Sequence, residues 1–233
     1  MLTIEVTPLD DGVTALNCRG RVWAYVIHSR GAFALFDTGF AGDDADLFAA
    51  LQPLGGLDAL TAVVVSHGHA DHAGGIASLL ERSRAVSYAH RLDAPVIRGE
   101  ASPPPPDLTD RERPIFEAVT RDVPDAPAAR VDHELEDGDL IDIGGPAEVV
   151  HVPGHTPGSI ALYLPGRRAL LTGDAVAGMA GGAVLGFFNA DRAAAISSLR
   201  RLSELDFDIA GFGHGPPLLK GGSEAFRRAV AAP

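Results

Sequence analysis

Cysteine and basic charge are both scarce in this chain of 233 residues. Cys18 is the only cysteine, so no disulfide can form within the chain and no cysteine cluster is available for a metal or redox site. We interpret it as a small buried hydrophobe. The 19 basic residues face 31 acidic ones, which gives a formal net charge of −12. Because no basic run could follow a phosphate backbone, nucleic acid is not an expected partner.

Long apolar runs are also missing. No apolar stretch reaches membrane-spanning length, and the first residues show no basic segment followed by an apolar core. We therefore expect a cytoplasmic protein with no membrane partner and no secretory signal. A hydrophobic content of 46% is enough for a full core, and we predict one domain over residues 1–233.

Short apolar segments alternate with amphipathic ones, which predicts a mixed α/β protein. Helices are predicted at Asp43–Leu51, Ile76–Leu80, Asp191–Leu205, with Asn189 or Asp191 as its cap, and Glu224–Ala231. Strands are predicted at Thr3–Thr7, Val13–Leu16, Arg21–His28, Ala32–Phe36, Thr61–Val65, Ala85–Ala89, Leu140–Ile143, Ala147–Val152, Ser159–Leu164, Ala169–Thr172 and Phe207–Phe212.

A proline-rich insertion near residues 99–129 interrupts this alternation. Pro103–Pro106 are four consecutive prolines, which neither an internal strand nor a helix accommodates. A helix is predicted behind them at Thr109–Thr120. The insertion is either a linker or a lid over a site, and its place between two groups of candidate ligands leaves both interpretations open.

The densest group of chemically active side chains is His67-Gly68-His69-Ala70-Asp71-His72, directly after the predicted strand Thr61–Val65. Imidazole nitrogens and carboxylate oxygens suit zinc, iron or manganese. An exposed polar turn is the alternative. Four candidate ligands in six residues favour a metal site, provided that other segments complete the coordination shell.

Three later segments supply such ligands, each where a predicted strand ends. His155 lies in Pro153-Gly154-His155-Thr156-Pro157-Gly158, whose prolines and glycines fix a sharp turn. Asp174 closes Thr172-Gly173-Asp174, and His214 lies between Gly213 and Gly215. Each segment alone would be an ordinary turn, but together with the first motif they bring ligands to four strand ends.

In this order the motifs resemble the metallo-β-lactamase superfamily, which carries His-x-His-x-Asp-His, Pro-Gly-His-Thr-Pro-Gly, Gly-Asp and Gly-His. The resemblance covers nearly the whole chain and implies a four-layer αββα sandwich. It also implies two divalent metal ions per chain, zinc first, with iron or manganese as alternatives. All seven family positions are filled: His67, His69 and His155 for the first metal, Asp71, His72 and His214 for the second, and Asp174 as the bridge.

The resemblance implies a metal-dependent hydrolase. Two dications acidify a bridging water, and the resulting hydroxide would attack the carbonyl of a small ester, thioester or lactone. Asp71 and Asp174 are the predicted catalytic residues, with Asp71 also passing a proton to the leaving group. Asp37 either orients a ligand imidazole or only stabilises its Asp-Thr-Gly turn.

Within the superfamily the sequence favours the glyoxalase II-like branch of small hydrolases. The β-lactamases lack the bridging acid that Asp174 supplies, and the nuclease branches are larger and carry nucleic-acid-binding additions. Glyoxalase II itself has a helical extension that residues 215–233 do not match, and Ala175-Val176-Ala177 lacks the tyrosine of acyl-homoserine lactonases. A mononuclear iron persulfide dioxygenase and a catalytically silent binding protein remain alternatives.

The glycine-rich apolar segment after the Gly-Asp motif has two interpretations. Met179, Leu185, Phe187 and Phe188 would line an apolar substrate pocket, or the phenylalanines would pack into the core. The expected partner is a small-molecule substrate, and the oligomeric state is open. The remaining histidines match no ligand position and are interpreted as surface or core residues: His28, His90, His133 and His151.

Overall fold

The computed structural model describes residues 4–231, so Thr3 of the first predicted strand lies outside the described residues. A seven-stranded sheet pairs its strands in chain order, antiparallel as far as β4 and parallel from there on. These strands are β1 (Ile4–Pro8), β2 (Val13–Cys18), β3 (Val22–Ser29), β4 (Ala32–Phe36), β5 (Leu60–Val65), β6 (Val86–His90) and β7 (His133–Leu135).

The second half of the chain forms a five-stranded sheet in the order β14-β11-β10-β9-β8, with a separate two-stranded hairpin of β12 and β13. Its strands are β8 (Leu140–Asp142), β9 (Pro146–His151), β10 (Ile160–Leu164), β11 (Ala169–Leu171) and β14 (Ile209–Gly211); the hairpin is β12 (Val176–Met179) and β13 (Gly182–Leu185).

Seven α-helices accompany the sheets in the described part of the chain. They are α1 (Asp44–Leu51), α2 (Ala70–Ala73), α3 (Ile76–Arg82), α4 (Ala94–Ile97), α5 (Glu112–Thr120), α6 (Arg192–Leu202) and α7 (Gly222–Ala231). Asp191 caps α6 by accepting the Ala194 N–H at 2.9 Å, so it is the cap, rather than Asn189. None of the helices within residues 4–231 is long and apolar enough to cross a membrane.

Three apolar clusters separate four layers of structure, which confirms the predicted αββα sandwich. Tyr25 and Ile27 of β3 face the second sheet, whereas Ala24 and Val26, one residue out of phase, face the helical layer of α1 and α3. The outer face of the second sheet packs on α6 and α7 through a third cluster. Because both faces of the central strands are buried, their sequences are continuously apolar rather than alternating.

The topology brings several strand ends to one edge of the sandwich. β11 runs parallel to β14, and β9 shares their direction because β10 is antiparallel to both β9 and β11. The segments that follow these three strands therefore leave from the same edge. The Ile160 N–H donates to the Ser66 carbonyl at 2.9 Å and joins this edge to the end of β5 in the first sheet.

The insertion contains the predicted helix, shortened at its start to Glu112. Thr109 and Glu112 form a reciprocal cap: the Glu112 carboxylate accepts the Thr109 N–H at 3.0 Å, and the Thr109 hydroxyl accepts the Glu112 N–H at 3.2 Å. The insertion is also anchored outside itself, since the Asp107 N–H donates to the Asn189 carbonyl at 2.9 Å.

Several elements differ from the sequence prediction. The short elements α2, α4 and β7 were not predicted. The predicted strand Phe207–Phe212 is only Ile209–Gly211, because side chains take the end positions: the Phe207 N–H donates to Ser223 Oγ, and Phe212 bonds to the Tyr25 hydroxyl. The β12–β13 hairpin was not predicted as strands, since its glycines weaken the pattern that β-branched residues give.

Candidate metal centre

The first motif begins where β5 ends, and its turn sends alternate side chains to a common point. His67 lies in the loop, His69 directly precedes α2, and Asp71 and His72 lie within that short helix. His67 Nε2 lies 3.0 Å from His69 Nδ1. The rings of His67 and His72 are 4.3 Å apart, so the helix places the second pair of ligands beside the first.

His155 reaches this point from the second sheet. Its turn requires Gly154, with φ +139°, because a Cβ there would lie 2.3 Å from the Ala195 backbone nitrogen. His155 Nε2 lies 2.9 Å from His69 Nδ1. Three ring nitrogens from two sheets thus converge.

Asp174 lies between this trio and a second group. Its Oδ1 is 3.2 Å from His72 Nε2, and its Oδ2 is 3.2 Å from His214 Nε2 and 3.5 Å from His155 Nε2. Asp71 Oδ2 completes the second group at 3.5 Å from His214 Nε2. One carboxylate therefore reaches histidines of both groups.

The structure brings all seven predicted side chains into one cluster. Its ligand atoms form three overlapping sets, each within 4.8 Å: His67, His69 and His155; His67, His72 and Asp174; and Asp71, His72 and His214. His72 Nε2 and Asp174 Oδ1 are buried without a hydrogen-bond partner. Two buried polar atoms that face each other in this way fit a shared cation, and the imidazole and carboxylate donors suit zinc, iron or manganese.

The outward nitrogens of four ligand histidines are held by other groups. Asp37 Oδ2 accepts His72 Nδ1–H at 2.9 Å, and Ser66 Oγ accepts His67 Nδ1–H at 2.9 Å while donating to Asp37 Oδ2. The Phe187 carbonyl accepts from His155 Nδ1 at 2.9 Å, and the Arg21 carbonyl from His214 Nδ1 at 2.8 Å. These bonds fix the tautomer that turns Nε2 inward. Asp37 thus orients an imidazole as well as closing a turn.

The three histidines of the first group are held neutral. Burial lowers the pKa of His67 well below its ordinary value, and neighbouring histidines lower it further. Burial also lowers the pKa of His69, and it lowers that of His155 to about 4. Neutral imidazole is the form that binds a metal ion.

The second group combines imidazoles with carboxylates. Burial opposes charge on His72 and His214, but the neighbouring carboxylates, Asp174 first among them, together outweigh it. They raise the pKa of His72 well above its ordinary value and that of His214 to about 10. Burial likewise opposes charge on Asp71, yet His72 and His214 hold its pKa at about 2. In this group two ionised carboxylates face two protonated imidazoles, and a divalent cation bound here would replace the imidazole protons.

A sequence model of the metallo-β-lactamase superfamily matches residues 19–214, which include every side chain of this cluster. The chain belongs to the metallo-β-lactamase superfamily. Among curated superfamily proteins, a hydroxyacylglutathione hydrolase of Rhodopseudomonas palustris is 31% identical over 84% of this chain and 63% of its own length. A probable metallo-hydrolase of Bacillus subtilis, YflN, is 29% identical over 68% of this chain and 66% of its own length. The chain thus spans about two thirds of these two relatives.

Solved structures show the same superfamily fold. The Rm3 metallo-β-lactamase superposes with a TM-score of 0.71 at 23% identity, covering 97% of this chain and 89% of the other. A metallo-β-lactamase family protein of Thermus thermophilus superposes with a TM-score of 0.66 at 21% identity, over 99% and 79% of the two chains.

Four histidines of this superfamily member stay outside the cluster, as predicted. His28 bonds to the Thr14 hydroxyl at 2.8 Å, and His133 stacks on Tyr88. His90 and His151 stack on each other with ring centres 4.1 Å apart, and His151 Nε2 donates to the Pro157 carbonyl.

Sequence reasoning missed three residues that support the cluster: Ser66, Arg21 and Asp93. Ser66 directly precedes the His motif, and its hydroxyl was the feature that could have indicated a hydrogen bond to a ligand imidazole. Arg21 acts through its backbone carbonyl, which no residue type reveals. Asp93 binds both ligand loops through its carboxylate and precedes a helix, where an aspartate ordinarily signals an N-cap.

The insertion lies beside the cluster. Phe116 of α5 contacts Phe188 with ring centres 5.3 Å apart, and Phe188 adjoins Phe187, whose carbonyl holds His155. Near the C-terminal end of α5, the Val119 carbonyl accepts a hydrogen bond from Arg21, whose own carbonyl holds His214. Helix α5 thus contacts Arg21 directly and the neighbour of Phe187, the two residues whose carbonyls hold His214 and His155. Phe187 is 40% exposed and Phe188 half-buried, so the expectation that both pack into the core is not met.

Proposed function

We propose that this protein is a dinuclear metal-dependent hydrolase that attacks the carbonyl of a small ester, thioester or lactone. The observation that carries the proposal is the convergence of His72, His214 and His155 on the single carboxylate of Asp174. A carboxylate placed between two sets of histidines suits a pair of cations. Relatives named hydroxyacylglutathione hydrolase and metallo-hydrolase support hydrolysis as the reaction class.

The cluster divides into two half-sites that share Asp174. The first half-site consists of His67, His69 and His155, and the second of Asp71, His72 and His214. We assign one divalent cation to each, with zinc as the proposed metal, because imidazole and carboxylate donors both suit it. Bound cations would acidify a water to hydroxide at neutral pH and polarise the substrate carbonyl.

The protein's own residues supply the proton path and the orientation of the site. Asp71 has 21% of its side chain exposed and is the most accessible carboxylate of the cluster. We therefore assign to it the transfer of a proton from the attacking water to the leaving oxygen or sulfur. Asp37 and Ser66 hold His72 and His67 so that their Nε2 atoms stay turned inward.

Metal analysis and a substrate panel test the proposal together. Protein purified without added metal should contain about two zinc equivalents per chain and hydrolyse members of a panel of aryl esters, thioesters and lactones. Chelation should abolish hydrolysis, and zinc should restore it. Asp174→Asn should keep the fold, by circular dichroism, but lose at least about 100-fold in kcat/KM, because the amide cannot neutralise two cations.

Two results would contradict the hydrolase. Zinc-loaded protein that is inert across the whole panel would do so. One iron per chain with sulfide-dependent oxygen uptake would instead support the mononuclear dioxygenase alternative.

A further inference from the structure

Asp93 is a buried carboxylate at a position that suggests a helix N-cap. It directly precedes α4, yet its side chain makes no capping hydrogen bond, and the residue is 2% exposed. Its Oδ2 instead accepts the Gly68 N–H at 2.8 Å and the Thr156 hydroxyl at 2.7 Å, and its Oδ1 accepts the Gly158 N–H at 2.7 Å. A carboxylate with three short bonds to two distant segments cross-links them.

The partners of Asp93 adjoin every histidine of the first half-site. Gly68 lies between His67 and His69 in the loop after β5, and Thr156 directly follows His155 in the loop after β9. These loops belong to different sheets and are 86 residues apart at His69 and His155. Asp93 is therefore bonded to both loops at the points where they carry ligands.

Two glycines allow this close approach. A Cβ at Gly158 would lie 2.5 Å from Asp93 Oδ1, and a Cβ at Gly68 would lie 2.9 Å from Val96 Cβ in α4. The turn that contains Asp93 thus packs directly on the backbone of both loops. Both glycines belong to the ligand motifs, so their lack of a side chain has a local steric reason.

We propose that Asp93 is a positioning residue for the first half-site and sets the distance between His67, His69 and His155. It acts through the backbone of the two loops and touches neither metal nor substrate. This inference rests on the proposed function only in taking the three histidines as metal ligands. Asp37 differs, because it bonds His72 directly and reaches His67 through Ser66, and so serves both half-sites.

Cobalt binding to Asp93→Asn tests the proposal without measuring activity. Asparagine keeps the shape but replaces one acceptor oxygen with an NH₂ group, which would face a backbone or hydroxyl donor. Titration with Co²⁺ should show one ion bound at least about tenfold more weakly and its visible d–d absorption altered, while the other ion is unchanged. His155→Ala and His214→Ala provide the reference spectra for loss of the first and second half-sites.

Asp132→Asn is the matched control. Asp132 also accepts a backbone N–H and a hydroxyl, both from Ser87 at 2.9 Å, but it directly precedes β7 and is bonded through Ser87 to β6 rather than to a ligand loop. The Asp132→Asn variant should be less stable than the wild type but should bind both cobalt ions as the wild type does. Asp37→Asn should perturb both ions.

Thr156→Val serves if Asp93→Asn does not fold. It removes one of the three bonds to Asp93 with little change of shape. The same cobalt ion should bind more weakly than in the wild type, but less so than in Asp93→Asn. Wild-type cobalt binding in the folded variants, or equal loss of both ions, would overturn the proposal. If Asp93→Asn selectively loses one cobalt ion but the wild-type protein hydrolyses no substrate, the role of Asp93 is supported and the proposed hydrolase is contradicted.

Discussion

The stacked histidines His90 and His151 lie outside the metal cluster, with His90 buried and His151 half-buried. The rings are nearly parallel, with an interplanar angle of 10°, and His151 is bonded to the turn that carries His155. Burial, and to a lesser extent the adjacent His151, lowers the pKa of His90 to about 4. A charged imidazole is therefore disfavoured at this position.

We predict that His90→Gln reduces the acid sensitivity of the fold. The pKa of His90 is lower in the folded state than in the unfolded chain, so below about pH 6.5 the unfolded state binds more protons. The free energy of unfolding should fall as the pH drops from about 6.5 towards 4, and His90 contributes no pH dependence above that window. Urea denaturation at pH 7.5 and 5 should show a smaller difference in the variant.

The control for this prediction is His133→Gln, at an exposed position on β7. Because the comparison is between variants, the metal-binding histidines contribute equally to each protein. An unchanged pH dependence in His90→Gln would show that the stack has no effect on acid stability.

At the scale of single residues, the sequence predicted all seven side chains of the cluster, since their motifs are compact and chemically distinctive. It could not predict Asp93, whose partners lie 25 and 65 residues away along the chain. An aspartate before Ala94-Pro95 looks like an ordinary cap until the fold brings those loops to it.

Helix α5 packs on Phe188, one of the residues predicted to line a substrate pocket. It is fixed at both ends, through Arg21 at Val119 and through an ion pair of 3.3 Å between Arg192 and Glu112. The sequence left linker and lid open, because proline content describes stiffness but not contacts. These anchors make a freely moving linker the poorer description.

We predict that Phe116→Ala and Phe188→Ala raise KM for esters with an apolar acyl group by about 2- to 10-fold, with a smaller effect on kcat. Each substitution removes one ring of an aromatic contact worth about 0.5–1.5 kcal/mol. Leu140→Ala, at a 75% exposed position on β8, is the control and should change neither constant. Equal kinetics of all three variants across acyl groups of different size would refute a role of these rings in binding.

Tyr25 joins strands of the two sheets. Its hydroxyl donates to the Phe212 carbonyl at 2.8 Å and accepts the Phe212 N–H at 2.7 Å, two residues before His214. Burial raises the pKa of Tyr25 far above neutrality, so the hydroxyl keeps its proton. This pairing is why the last strand ends before Phe212.

We predict that Tyr25→Phe lowers the free energy of unfolding by about 1–3 kcal/mol, because it leaves a buried N–H and carbonyl without partners. Tyr163→Phe is the matched control, since its hydroxyl makes one bond to the Asp206 carbonyl in a more exposed setting. Its loss should be smaller in urea denaturation. Equal losses would mean that the sheet-joining bonds contribute nothing beyond an ordinary surface bond.

Across the whole molecule, the proposed ligands come from both sheets. Bound metal would therefore connect loops that lie far apart in the sequence, as His67 and His214 do. The alternation of strands and helices was predicted from the sequence, but the layering was implied only by the family resemblance. Strands of both halves are similarly apolar, and nothing local says which of them pair.

We predict that zinc stabilises the fold and that chelation lowers its melting temperature. A ligand that binds only the folded state adds about 2.7 kcal/mol at a free concentration 100 times its Kd. Differential scanning fluorimetry with EDTA, and then with zinc restored, measures the change. Asp174→Asn should respond less, and identical melting curves with and without zinc would contradict metal binding at this cluster.

The common direction of β9, β11 and β14 places the proposed ligands at one edge of the sandwich and none of them at the opposite rim. There the β3–β4 turn and the β8–β9 turn, with Arg30 and Gly144, border an open cavity of about 510 Å³. Foreign sequence placed in these turns would project away from every proposed ligand. This rim is accordingly the place to attach a fluorescent reporter, an affinity handle or a second enzyme while the catalytic edge stays free.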